Sequence, residues 1–274
     1  MRQSLAYVDN LLPLYHASET PCVINIFRPS TLFFCHHLDH DKCNIIRIHG
    51  AFATQGIYCM VFEHLDRSLA DLLEAQPFNR LHPNHIRLIV WQLAIALDAL
   101  NSFGLTHTDI NIDNIMLVNQ KKYPFKVKLI DLGLASEMSS LRKNQLVQPL
   151  IYRAPEVMLG LPLTAAVDIW SLGCLAATLY LGRQQYGGFT EYEMTEGYKQ
   201  TSPQPDKPLK MELYSLDDIL IVFPVNDEEK LDLVLFVDLL IKMLHLEPGK
   251  RITPQQILKI RFLTSFLTPS LDLW

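Results

Sequence analysis

The chain has 274 residues, 49% hydrophobic and 19% charged, enough for one large domain or two lobes around a shared core. Its 29 acidic residues outnumber 24 basic ones, the net charge is -5, and no basic cluster exceeds the pair Lys121 and Lys122, which argues against a nucleic-acid partner. The five cysteines, Cys22, Cys35, Cys43, Cys59 and Cys174, are odd in number and scattered, predicting free thiols in a reducing compartment rather than a disulfide framework.

In chain order, "MRQSLAYVDNLLPLYH" has an aspartate inside its only apolar run and no small-residue cleavage pattern, so no secretory leader is expected. Up to residue 43 the periodicity is poor: "CVINIF" reads as a short strand and "TLFFCHHLDHD" as a short helix. "NIIRIHGAF" and "GIYCMVFEHL", β-rich and joined by a short polar turn, read as an antiparallel pair. The period then changes. "SLADLLEA" sets a serine N-cap before apolar residues at helical spacing. A longer helix starts at Pro83, with Ile86, Ile89, Val90, Leu93, Leu97 and Leu100 on one face and Gly104 at its end. Two short strands, "NIMLV" and "FKVKLID", precede an irregular polar segment that runs up to "YRAPE". The rest reads as helix: "AAVDIWSLGCLAATLYLG", a weaker "TEYEMTEGYK", "EEKLDLVLFVDLLIKML", and "TPQQIL" with Thr253 as N-cap and Pro254 at the first position. Residues 199–210, rich in proline and polar residues, read as one long loop. The longest nearly uncharged run, 169–182, is about 14 residues against the roughly 20 a membrane span needs, so no membrane association is expected.

The stretch "HTDINIDN" spaces a histidine, an aspartate and an asparagine as H-x-D-x-x-x-x-N. Alone this is a weak signal, because aspartate and asparagine are common in loops for turn reasons. Its chemistry is nonetheless coherent: moving a phosphoryl group calls for a carboxylate beside the attacking hydroxyl and oxygen ligands that hold magnesium on the phosphates. Asp109, Asn114 and Asp131 make up such a set. Asp131 opens "DLG" straight after an apolar strand, and Gly133 is expected to permit the tight turn that aims its carboxylate. "CHHLDHDKC" holds two cysteines and three histidines, but no second ligand pair elsewhere completes a zinc set, so it reads as an ordinary loop. Trp170 and Phe62 read as core aromatics.

"HTDINIDN", "IDLG", "YRAPE", "DIWSLGC" and "GKRITPQQIL" stand in the order and approximate spacing of a eukaryotic protein kinase. "NIMLV", "APEVMLGLP" and "WSLGCLAATLYLG" most resemble the homeodomain-interacting protein kinases, relatives of the dual-specificity tyrosine-regulated kinases. The resemblance covers residues 44–268 and implies an α+β protein-kinase fold. Residues 1–43 would be a divergent remnant of the β-rich N-lobe, 44–268 the end of that lobe plus a complete, mostly helical C-lobe, and 269–274 a tail. It implies ATP and Mg2+ as cofactors, and protein substrates or protein partners in the nucleus or cytoplasm. It makes Asp109 the catalytic base, Asn114 and Asp131 the magnesium ligands, and His107 and Leu132 members of the packed column that aligns them; Leu132 replaces the usual phenylalanine. Phe62 would stand at the back of the adenine pocket, the backbone of Glu63, His64 and Leu65 would form the hinge, and Met116 would lie under the adenine ring. Asp168 would accept hydrogen bonds from the catalytic-loop backbone, and Glu156 would pair with Arg251.

The departures from the family are as informative. Kinases close over ATP with a glycine-rich loop and grip its phosphates with a strand lysine paired to a helix glutamate. These 274 residues hold only Gly50 and Gly56 before Gly104, and no lysine before Lys42. If "CVINIF" is the lysine-bearing strand, Asn25 takes the lysine's place and Thr31 the glutamate's. Asn111 stands where a serine/threonine kinase has its loop lysine. Thr108 replaces the arginine that reads a phosphorylated activation loop, an arginine that the homeodomain-interacting kinases also lack; Leu146 replaces the tyrosine that those relatives autophosphorylate, and Leu150 a substrate-contacting arginine. The expectation is a serine/threonine kinase-type domain, impaired as this chain. The alternative is a pseudokinase acting as a protein-binding scaffold or regulator. Small-molecule phosphotransferases that share the H-x-D loop are disfavoured, because they lack "APE" and the helices after it. An open frame upstream of Met1 encoding a glycine-rich loop and strand lysine would instead indicate a truncated gene model.

Overall fold

The structure, a computed structural model, describes residues 22–26, 39–54, 57–182, 216–222 and 227–264. The helix read over 31–41 falls mostly outside them, and the one over 190–199, the loop over 199–210 and Thr31 fall outside entirely.

Three strands open the fold. β1 (Cys22–Ile26), β2 (Ile48–Thr54) and β3 (Ile57–Glu63) form an antiparallel sheet in the order β1-β3-β2. The expected pair is β2 with β3, and "CVINIF" flanks β3 on its other side, setting Asn25 opposite Met60. Because β3 is central, Cys59, Met60, Val61 and Phe62 are all buried, which is why that strand is a continuous apolar run rather than an alternating one.

The remainder is mostly helical. α1 (Leu69–Glu74) starts at Ser68, whose hydroxyl and Asp71 complete a reciprocal capping box. α2 (Pro83–Ser102) buries the apolar face read from its sequence, Ile86, Ile89, Val90, Leu93, Leu97 and Leu100, each at most 1% exposed. β4 (Leu105–Thr106), the hairpin β5 (Ile115–Asn119) and β6 (Tyr123–Leu129), and β7 (Ser136–Glu137) follow, with β7 pairing back onto β4. α3 (Pro155–Met158) leads to α4 (Ala166–Leu181), which is buried at every position from 167 to 181. A helix apolar on all sides belongs at the centre of a lobe. Gly182 ends it at φ 69, where an added Cβ would lie 2.3 Å from the Phe78 carbonyl oxygen, so both backbone sign and space require glycine. α5 (Asp218–Val222), α6 (Asp227–Met243), α7 (Pro254–Ile257) and α8 (Arg261–Thr264) complete the described chain, α7 behind the expected Thr253 cap.

One apolar core joins α2, α4 and α6 to the inner face of the hairpin through Leu117, Val127 and Leu129. The segment before β2 is sewn to that hairpin: the Ile46 N–H donates to the Leu129 carbonyl at 2.9 Å and the Leu129 N–H to the Asn44 carbonyl at 2.8 Å. Among the described residues no helix is long and apolar enough to cross a membrane, and Cys43, Cys59 and Cys174 are free thiols.

Far apart in sequence, Glu156 on α3 and Arg251 meet in the interior. The guanidinium donates to both carboxylate oxygens, at 2.7 and 3.0 Å, and the two side chains are 1% and 0% exposed. Its other N–H groups reach the His245 carbonyl at 3.0 Å and the Ala166 carbonyl at 2.8 Å, and its plane lies over the Trp170 ring. With every donor direction taken up, the pair clamps α3 to the start of α4 and to the chain ahead of α7. Glu156→Ala strands a buried cation and is expected to cost about 3–5 kcal/mol, read by urea unfolding. An unchanged unfolding midpoint would contradict this account of how the lobe is held.

Candidate active site

The loop after β4 begins at His107, and its conformation is set from below by α4. Asp168, in the first turn of that helix, accepts the His107 N–H on Oδ2 at 2.7 Å and the Thr108 N–H on Oδ1 at 2.8 Å. Burial pushes its carboxyl up to about 7, opposed by those two N–H groups. The interaction expected from the family resemblance is therefore present in the structure.

His107 is completely buried, and both its ring nitrogens have one assignable role. The Ile130 carbonyl, 3.0 Å from Nε2, can only accept, so Nε2 carries the proton; Nδ1 accepts the Asp109 N–H at 3.2 Å. The ring is thus neutral. Loss of hydration lowers its pKa from 6.5 to about 4. It links the end of β6, which leads into Asp131, to the backbone of Asp109.

Asp109 presents its carboxylate between two amides. Asn114 donates to Oδ2 at 2.7 Å and Asn111 to Oδ1 at 3.0 Å, and both also donate to the Asp109 carbonyl, at 3.0 and 3.1 Å. Burial raises the Asp109 pKa, and these two donors work against that rise. Asn111 in turn accepts the Asp113 and Asn114 N–H groups on Oδ1, at 2.9 and 3.1 Å. An amide has two donors and two acceptor sites, and here all four close within the loop. Lysine, which offers no acceptor, could not make the last two bonds. The sequence showed only that a lysine was replaced; the replacement's bracing role needed the fold.

Asp131 sits at φ 56, ψ 73, the left-handed region, and caps the short 3-10 turn Leu132–Leu134, accepting the Gly133 N–H at 3.1 Å. This corrects the sequence reading: the left-handed residue of the turn is Asp131 itself, while Gly133 serves as the donor. Aspartate tolerates that region because its short polar side chain bonds locally. Leu132 is buried.

On the small-lobe side, Phe62 and Leu65 fall in one apolar cluster with Ile46 and Met60, against which Met116, Ile48, Val118 and Ile130 pack. The residues read as adenine-facing are therefore neighbours, gathered from β3, the chain after it, and the outer face of the β5–β6 hairpin. The Glu63 side chain turns elsewhere. Its Oε1 accepts the Arg47 N–H at 2.7 Å and meets Lys128 Nζ at 2.5 Å; Lys128, 2% exposed, also pairs with Asp41. Sequence reasoning missed Lys128, since a lysine inside "FKVKLID" looks like a solvated face of the strand.

The donor set suits magnesium on one side only. Asn114 commits its nitrogen to Asp109, so its oxygen end is the one left for a cation, and Asp131 adds a carboxylate; both are hard oxygen donors of the kind Mg2+ takes alongside phosphate and water. On the opposite side these residues offer no glycine-rich loop and no lysine on β1. No group of three or more histidine, cysteine, aspartate or glutamate side chains able to hold a metal occurs among the described residues; residues 35–38 of "CHHLDHDKC" lie outside them.

Comparison with known proteins shows the family. A protein kinase domain family model matches residues 32–263. Homeodomain-interacting protein kinase 2 of Mesocricetus auratus is 34% identical, the match covering 82% of this chain and 23% of that protein. Homeodomain-interacting protein kinase 1 of Caenorhabditis elegans is 33% identical over 82% of this chain and 33% of that protein. Homeodomain-interacting protein kinase 4 of Homo sapiens is 39% identical over 61% of this chain and 28% of that protein. The chain thus spans a third or less of the length of these curated relatives.

The neutrality of His107 gives a sharp test. Its folded pKa lies below the unfolded value, so its contribution to stability is present above about pH 6.5 and lost as pH falls toward about 4; the shift corresponds to about 3 kcal/mol. Asp168, raised, works in the opposite sense as pH climbs toward about 7, so a bulk unfolding curve would blend the two. Long-range proton–nitrogen NMR of the ring separates them: His107 should remain the Nε2–H tautomer from pH 8 to about 5. Protonation near pH 6.5 would refute the buried, neutral assignment.

Proposed function

The chain belongs to the protein kinase domain family, and from that membership we propose that it is a serine/threonine-type kinase domain whose phosphoryl transfer is impaired as this chain. The observations that support the reading are the Asn114–Asp109 hydrogen bond, the bond from the Ile130 N–H, next to Asp131, to the Asn114 carbonyl at 2.9 Å, and the packing of Met116 and Ile130 on the apolar cluster of Phe62 and Leu65. In this role Asp109 orients and accepts the proton of a substrate hydroxyl, and Asn114 and Asp131 hold Mg2+. Met116 and Phe62 would hold the adenine of ATP, and the backbone at Glu63 and Leu65 would serve as hinge. Bound magnesium neutralises charge on the phosphates. What the residues cannot do is enclose those phosphates: no lysine precedes Lys42 and no G-x-G-x-x-G occurs, and Asn111 is turned inward.

A second reading has its own support. Both Asp109 oxygens are already satisfied by the Asn111 and Asn114 amides, so the carboxylate has a structural role without any substrate. That is the arrangement expected of a pseudokinase that serves as a protein-binding scaffold.

Each charge-stabilising group in a transfer site is worth roughly a hundredfold to a thousandfold. Losing the lysine and glycine loop should bring a rate of about 1–100 per second near background. The check is transfer from radiolabelled ATP with magnesium to a basic protein, comparing the chain with Asp109→Asn. Equal, near-blank signals are expected. Transfer well above blank that vanishes in the variant would replace the impaired reading with an active kinase.

A further inference from the structure

We propose that Thr108 and Gln148 are positioning residues that hold the segment 131–154 against the catalytic loop with neutral hydrogen bonds, so that its placement requires no phosphate. The role rests on reading that segment as the activation segment of the kinase domain.

Thr108 is 1% exposed. Its hydroxyl donates to the Leu134 carbonyl at 2.8 Å, and its own carbonyl accepts the Gln148 N–H at 3.1 Å. One residue of the loop therefore grips the segment near both its ends. Thr108 does so at φ 66, an outlying conformation for a β-branched side chain, which persists only where several contacts impose it. Its amide, bound to Asp168, supplies a third.

Gln148, 6% exposed and also at φ 66, carries the grip into the core. Its side-chain nitrogen donates to the Val167 carbonyl at 2.8 Å and to Ser171 Oγ at 2.7 Å, both on α4. Its side-chain oxygen accepts the Ala154 N–H at 3.0 Å, and its carbonyl accepts two N–H groups of Arg153. Ser171 closes the circuit by donating to the Tyr152 carbonyl at 2.8 Å. The hydrogen-bonding sites of the Gln148 amide are spent on joining the segment's end to the buried helix. Apart from the Arg153 donors, every group that Gln148 bonds is uncharged.

The sequence of the segment points the same way. Residues 135–149 include neither tyrosine nor threonine, their hydroxyl side chains being Ser136, Ser139 and Ser140, the sites that the phosphatase comparison below addresses, and Tyr152, just beyond them, is buried. Where many other protein kinases, though not the homeodomain-interacting ones, set an arginine to bind a phosphorylated loop, Thr108 contributes a hydroxyl that donates to the Leu134 carbonyl. An added phosphate would find no cation at that position.

Hydrogen–deuterium exchange of the whole chain, without ATP, tests the proposal. Exchange across 131–150 should be the same before and after phosphatase treatment. Thr108→Val keeps the shape and removes the hydroxyl, and should speed that exchange roughly fivefold, as loss of one hydrogen bond implies, leaving α4 unchanged. Thr108→Ser should return to the parent level. Faster exchange after phosphatase, or a Thr108→Val profile equal to the parent, would overturn the proposal. If Thr108→Val loses protection in α4 as well, the phosphatase comparison and Thr108→Ser decide it. A chain inert in phosphoryl transfer still gives this readout, so failure of the kinase reading and failure of this one are separable.

Discussion

Two backbone N–H groups on one buried carboxylate hold the functional end of this molecule together. Asp168 stands in the first turn of α4, where the helix N-terminus favours negative charge, and takes the His107 and Thr108 N–H groups at 2.7 and 2.8 Å. A loop crossing a core must dispose of its backbone polar groups, and here one side chain does so for the two residues that precede Asp109. The consequences run outward. With its backbone fixed, His107 can bridge Asp109 to Ile130, and so brings the catalytic loop to the strand that delivers Asp131.

Charge is distributed with some economy around that anchor. A neutral imidazole occupies the fully buried position, where an imidazolium would be expensive, and the carboxylates of Asp109 and Asp131 lie further out. Asp109 is surrounded by amides rather than cations. The Asn111 and Asn114 amides and the His107 ring that hold Asp109 are all uncharged donors or acceptors. Glu156 and Arg251 provide the matching anchor just past the far end of the segment 131–154, so the loop and the segment are both tied to the N-terminal end of α4.

The two lobes differ in what they contribute. The hairpin β5–β6 and α4 are integral to one large core, so residues they carry are positioned by packing. The small sheet β1-β3-β2 supplies an apolar surface through Met60 and Phe62, and its Glu63 is braced by Lys128 of β6.

Much of this was legible in the sequence, and for identifiable reasons. The apolar stripe of α2, the caps at Ser68 and Thr253, the uninterrupted apolarity of α4 and β3, and the loop and strand-end positions of Asp109, Asn114 and Asp131 all follow from local periodicity and local backbone chemistry. The Glu156–Arg251 and Asp168 contacts were legible only through the family resemblance, since no local pattern links residues so far apart. The structure alone decided the rest. Lys128 is buried because β6 faces Glu63 across the lobe boundary; Asn111 closes a loop because all four of its amide's bonding sites find partners there; Asp131 rather than Gly133 takes the left-handed conformation because the turn's N–H returns to its carboxylate; and Gln148 becomes a junction because two segments and a helix arrive at it together. A side chain's type and neighbours in sequence set what it is able to bond, but which partner it meets depends on long-range packing that no local pattern records.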